Sequence, residues 1–105
     1  MEETAAQYAG ISVKVSVVSA ADAAKPTDEH CETVRRLTQA VQSVYGITPH
    51  CVGIGGGTVA AYFRKKGLPA AVWASVDSTC HMPNEFSRIS KTIGDAQVLA
   101  SMLFD

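Results

Sequence analysis

The sequence has no Cys-x-x-Cys pair, no long apolar run and no excess of either charge. Its three cysteines, Cys31, Cys51 and Cys80, are odd in number and widely spaced. They are poor material for a disulfide framework and read as reduced, mostly buried small hydrophobes. No stretch approaches the roughly 18 apolar residues of a membrane span, so no membrane partner is expected. Nine Lys and Arg stand against ten Asp and Glu. No basic patch of the kind that marks a nucleic-acid partner is present. Residues 1–10 are acidic and Ala-rich, unlike a secretory signal, and the expected location is cytoplasmic. What is present is one small domain's worth of chain: 105 residues, 47% apolar, enough for a core.

The apolar pattern sets an expected order of elements. Residues 11–18 alternate, with Ile11, Val13, Val15 and Val17 on one side, and predict a half-buried strand. Thr27 is a candidate helix N-cap, with Asp28 and Glu29 at the positive end of the dipole. Val34, Leu37, Val41 and Val44 recur at helical spacing, and Gly46 is the expected stop. The helix is predicted over 28–45, with Arg35 and Arg36 on a solvated face. A short strand over 48–54 leads into a glycine loop and a helix over 59–66, closed by Gly67 and Pro69. The apolar run 70–74 suits a strand covered on both faces. A polar loop, 75–88, precedes a last helix whose apolar face is Ile89, Ile93, Ala96, Ala100 and Leu103. This alternation predicts an α/β class: a layered α/β/α arrangement with a mainly parallel sheet.

In such sheets, ligands sit outside the carboxyl ends of the strands. Two loops would lie there. Gly53-Ile54-Gly55-Gly56-Gly57-Thr58 lacks the sixth-position Gly of a dinucleotide fingerprint and the Lys of a phosphate loop. Its bare amides can still meet a carboxylate or phosphate, or simply form a tight turn. The second loop carries Asp77, Cys80, His81 and Glu85. His81 is a candidate zinc ligand, with Glu85 or Asp77 placed to orient its second nitrogen, but a zinc site takes three or four protein ligands. A Cys80–His81 dyad is disfavoured, because neighbours in an extended segment point to opposite sides.

Taken in order, Gly-Gly-Thr at 56–58, Tyr-Phe-Arg-Lys-Lys-Gly-Leu-Pro at 62–69, Val-Trp at 72–73 and His-Met-Pro-Asn-Glu at 81–85 resemble one family. It is the two-zinc amidohydrolase family of succinyl-diaminopimelate desuccinylase, acetylornithine deacetylase, aminoacylase and glutamate carboxypeptidase. The resemblance covers about residues 11–105. It implies that His81 ligates one of two zinc ions and that Gly56, Gly57 and Thr58 line the substrate site. It also implies a domain plan: a tail at 1–10, the last strand and linker of an inserted lid at 11–25, and the C-terminal part of the catalytic domain at 26–105. The family commonly continues Gly-Gly-Thr with Asp-Ala-Arg. Here Val59-Ala60-Ala61 follows, so the Arg that meets a substrate carboxylate is missing at Ala61.

The resemblance implies a hydrolase acting on an N-acyl amino acid or peptide amide. The other zinc ligands and the catalytic glutamate of the family have no counterpart here. The isolated chain is therefore expected to be inactive, to bind zinc weakly, and to form a homo-oligomer through open strand edges. The alternative reading is a stand-alone, non-catalytic α/β interaction module.

Overall fold

The computed structural model describes residues 2–5 and 7–104. Among them are four helices: α1 (Glu2–Ala5), α2 (Glu32–Tyr45), α3 (Ala60–Lys65) and α4 (Ile89–Phe104). Met1 and Ala6 of the expected tail, and Asp105, lie outside the described residues. Helices α2 and α4 pack against each other. Ala40, Val41 and Val98 are buried between them, with Leu37, Val44, Tyr45, Trp73 and Met102 packed around. The expected face of α2 is thus the one that is buried. Its end also follows the sequence: Gly46 adopts φ 66° and donates its N–H to Gln42 O at 2.9 Å, a left-handed stop that glycine takes without a Cβ clash. No helix among the described residues is long and apolar enough to cross a membrane.

The expected α/β/α layering with a mainly parallel sheet is overturned, because no strand occurs among the described residues. Segments 11–18, 48–54 and 70–74 form no ladder. Among the described residues, every backbone–backbone hydrogen bond outside the helices joins residues five or fewer apart. The reason is physical. A helix satisfies its amides four residues away in its own chain. A strand's amides point sideways and need a neighbour about 4.8 Å away. Alternation marks a face; it does not supply the neighbour. Residues 11–18 are exposed on both sides, with Val17 at 80% and Val18 at 95%. In 70–74, Ala70 and Trp73 are half-buried, while Val72 is open.

Three local expectations also shift. Helix α2 begins at Glu32, because Thr27 does not cap it. The Thr27 hydroxyl donates to Ala70 O at 2.6 Å and accepts from Ala70 N–H at 3.1 Å, so it staples the chain before α2 to the 70–74 segment. The buried side of α4 is Gly94 and Val98, and Ile89, Ile93, Ala96, Ala100 and Leu103 are exposed. Gly94 leaves room for the Tyr45 ring of α2, which decides the packed face over simple apolar count. Cys51 and Cys80 are exposed and Cys31 half-buried; all three are free.

The result is an open molecule. Its radius of gyration is 19.8 Å, against roughly 13 Å for a closed domain of this length. Its accessible surface is 8906 Å², where a closed monomer of 11.1 kDa would expose about 5,700 Å².

Candidate functional site

The loop between the 70–74 segment and α4 is built from short turns. Thr79 N–H donates to Asp77 O at 2.7 Å, Met82 N–H to Thr79 O at 3.1 Å and Glu85 N–H to Met82 O at 3.2 Å. His81 and Asn84 both take left-handed backbone, at φ 62° and 61°. Few residues other than glycine take this region, and His and Asn are among those that do so most readily. The Glu85 carboxylate accepts the His81 backbone N–H at 3.1 Å. Glu85 therefore steadies the loop by holding the amide of His81, where an imidazole contact was expected. His81 itself is exposed.

Asp77, the other carboxylate of the loop, is committed to cations. It accepts from Lys91 Nζ at 2.9 Å, and Arg88 Nε lies 3.3 Å from its second oxygen. The Lys91 hydrogen bond is the main cause that holds its pKa below the ordinary aspartate value, against the opposing effect of desolvation. An acid so paired is a poor partner for the His81 imidazole.

The glycine loop is a separate place. Gly56 sits at φ 144°, a conformation open to glycine and strained for other residues. A Cβ added at Gly55, Gly56 or Gly57 would meet nothing within 4 Å. Close packing therefore explains none of the three glycines. Thr58 is half-buried, and its carbonyl accepts from Ala61 N–H at 3.0 Å as α3 starts. Among the described residues, no hydrogen bond or ion pair joins Gly56, Gly57 or Thr58 to the His81 loop. A groove of about 420 Å³ opens between α2, α3, α4 and residues 70–73, lined by Leu37, Phe63, Val72, Trp73, Leu99 and Met102 among others. It is apolar, and no residue of 75–88 lines it, so it is not where the chemistry of His81 would occur.

A divalent ion does not fit these residues by themselves. No group of three His, Cys, Asp or Glu side chains among the described residues could hold one. One exposed imidazole, one carboxylate engaged by an amide and one paired to cations do not make a closed site.

The side chain that the sequence reading missed is Asp95. It lies half-buried on α4, accepts the Tyr45 hydroxyl at 2.8 Å and the Ser75 N–H at 2.8 Å. Burial opposes its ionisation, yet the Ser75 amide and the Tyr45 hydroxyl outweigh that and hold its pKa low. In sequence it stands beside Gly94 on a helix whose expected face ran elsewhere, so spacing offered no signal for it.

The sequence profile of peptidase family M20/M25/M40 matches residues 3–105. An uncharacterized metallohydrolase of Methanocaldococcus jannaschii is 39% identical over 77 residues, covering 73% of this chain and 19% of that protein. One of Methanococcus maripaludis is 40% identical over 80 residues, covering 76% and 19%. The chain thus spans about a fifth of the length of these relatives. No solved structure matches it.

Proposed function

This chain belongs to peptidase family M20/M25/M40, and from that premise we propose that it supplies the C-terminal part of the catalytic domain of a metal-dependent amidohydrolase or peptidase. Residues 26–105 take that role, and 11–25 the junction with a lid. The substrate class is an N-acyl amino acid or a peptide amide, and the metal is zinc. His81 is one ligand of a site whose other ligands come from other parts of the full-length enzyme. Gly56, Gly57 and Thr58 line the substrate side. Such an ion, when bound, would polarise the amide carbonyl and acidify a water; the residues here supply only one contact toward it. The workplace is the cytoplasm, and the isolated chain is a homo-oligomer.

The observation that supports this reading most is the His-Met-Pro-Asn-Glu turn. His81 takes an uncommon backbone conformation, and Glu85, four residues on, holds its amide. The turn leaves the His81 side chain exposed at its tip, open to a metal shared with other parts of the enzyme.

The test is a graft. The matching segment of the Methanocaldococcus jannaschii relative is replaced by this chain, and the hybrid is assayed on N-acyl amino acids and dipeptides with zinc or cobalt. Turnover that His81→Ala abolishes supports the reading. Turnover that survives His81→Ala removes His81 from the metal. The 105-residue chain alone should show no turnover, and calorimetry should find only weak zinc binding. A tight stoichiometric zinc site in the isolated chain would overturn the single-ligand assignment.

A further inference from the structure

We propose that α4 is a register bar for the His81 loop, with Asp95 and Lys91 as its positioning residues. Asp95 Oδ2 accepts the Ser75 N–H at 2.8 Å, and Lys91 Nζ donates to Asp77 Oδ1 at 2.9 Å. Four residues separate the two on the helix, and two residues separate their targets on a segment that is half-buried at Trp73, Ser75 and Asp77 and exposed at Ala74 and Val76, the alternation of an extended chain. Four helical residues rise about 6 Å. Two extended residues span about 6.7 Å. The near match lets both bonds form together, with the segment running antiparallel to α4.

The pairing admits one register. Successive side chains of an extended segment alternate sides. A slip of one residue would turn the Asp77 carboxylate away from Lys91 and bring Val76 or Ser78 in its place. Asp95 alone could grip any backbone amide. Lys91 together with Asp95 accepts only the frame in which a carboxylate stands two residues after the gripped amide.

The bar is itself held from behind. Tyr45 on α2 hydrogen-bonds Asp95 Oδ1 at 2.8 Å, and its hydroxyl lies 3.2 Å from Lys91 O. Gly94 clears the room for this ring: a Cβ there would collide with the phenol oxygen and lie 2.8 Å from Cζ. Arg88, the residue before α4, closes on the far oxygen of Asp77 at 3.3 Å. From Asp77 the chain reaches His81 in four residues, through the turn that Thr79 N–H closes on Asp77 O. The register of Asp77 therefore fixes where the imidazole leaves the fold.

The purpose assigned to the bar rests on His81 being a metal ligand; its geometry does not. Hydrogen exchange of the full 105-residue chain, read at single residues without metal, tests the geometry by itself. Lys91→Met and Asp95→Asn should each speed exchange at the Ser75, Thr79, His81 and Met82 amides about tenfold. The interior amides of α2 should keep their rates, and Lys91→Arg should keep the wild-type loop. Where Asp95→Asn also loosens α2, Asp77→Asn carries the same test from the partly exposed end of the clamp. Unchanged loop amides in Lys91→Met and Asp77→Asn would overturn the proposal. So would loop and α2 amides accelerating by one common factor, or Lys91→Arg behaving like Lys91→Met. Failure of the ligand reading shows separately, as zinc affinity unaltered by His81→Ala.

Discussion

Residues 70–77 and residues 11–18 are both short, largely apolar and outside any helix, yet only the first is held. Thr27 staples Ala70, Trp73 packs on the core, Asp95 grips Ser75 and Lys91 grips Asp77. Every one of those ties is a side-chain tie. Among the described residues, 11–18 have no such side-chain tie, and the valines there are exposed. The difference lies in where each segment falls relative to the helix pair, and apolar content plays little part. The 70–77 segment crosses beside α4, which offers polar groups at a matching spacing.

The largest expected effect is therefore in the small core. Val98 and Val41 are fully enclosed, and Val98→Ala removes two methyls where the neighbours cannot all relax. A loss of about 2–3 kcal/mol is expected, read from thermal or urea unfolding. Val18→Ala, from the same residue type in the open region, should change stability by less than about 0.5 kcal/mol. Equal losses at the two sites would mean that 11–18 is packed in solution and would break the comparison.

Next comes Gly94→Ala. Helix propensity alone favours Ala by about 1 kcal/mol. The Tyr45 ring occupies the place of the new methyl, and overpacking of this kind costs about 1–3 kcal/mol. Net destabilisation is expected, with the hydrogen bond from Tyr45 to Asp95 broken as the ring is pushed aside. A stabilised variant would show that the ring moves freely and that the clamp is loose.

Acid should loosen the held region. Asp95 and Asp77 both have pKa values lowered in the fold. A lowered carboxylate contributes stability that is fully present above its unfolded pKa, about 3.9, and is lost as pH falls through the folded value. Lys91, Arg88 and Tyr45 face these two groups. The unfolding midpoint should thus be flat from about pH 7 to pH 5 and drop below about pH 4. Asp95→Asn should shallow the drop. An unchanged slope in that variant would remove Asp95 from the acid response.

Thr27→Val sharpens a narrower point. If Thr27 capped a helix, its loss would unravel the first turn. As a staple, its loss leaves the Ala70 N–H and C=O short of a partner, at a cost of about 1 kcal/mol. Faster exchange at Ala70 with α2 unchanged is the expected result; fraying of α2 from Glu32 onward would restore the cap.

These cases also mark what could be read beforehand. The buried stripe of α2 and its glycine stop were legible, because helix periodicity and a positive-φ stop are properties of a few adjacent residues. The solvated Arg35–Arg36 pair was legible too; both meet Glu32 at 2.7 Å in solvent. The strands were not, because alternation in 11–18 says nothing about whether a neighbour exists. Thr27 and Asp95 were not, because their partners, Ala70 and Ser75, lie 43 and 20 residues away. His81 and Glu85 stood out through an ordered set of motifs. That Glu85 would hold the backbone of His81 depends on a left-handed turn that spacing does not reveal.

The smallest expected effect on the fold is also the most telling for the open region. Val15 is exposed, so Val15→Lys should leave the unfolding midpoint of the α2–α4 pair within about 0.5 kcal/mol of wild type. Its effect should appear in mass instead. Burying the Val13, Val15 and Val17 side fully would contribute up to about 1.5–3 kcal/mol per side chain, and the chain itself collects only part of it, leaving them 39%, 57% and 80% exposed. Association between copies can collect it, and light scattering of the wild-type chain at high micromolar concentration should show a dimer or larger species. A lysine placed in the middle of that stripe must be desolvated on association. Val15→Lys should therefore lower the mass toward monomer or drive the chain out of solution. If wild type is a monodisperse monomer, the apolar stripe tolerates water and the assembly proposal fails. If wild type associates and Val15→Lys changes neither mass nor solubility, the contact lies on another face, and the exposed Ile89 and Ile93 side of α4 becomes the next surface to substitute.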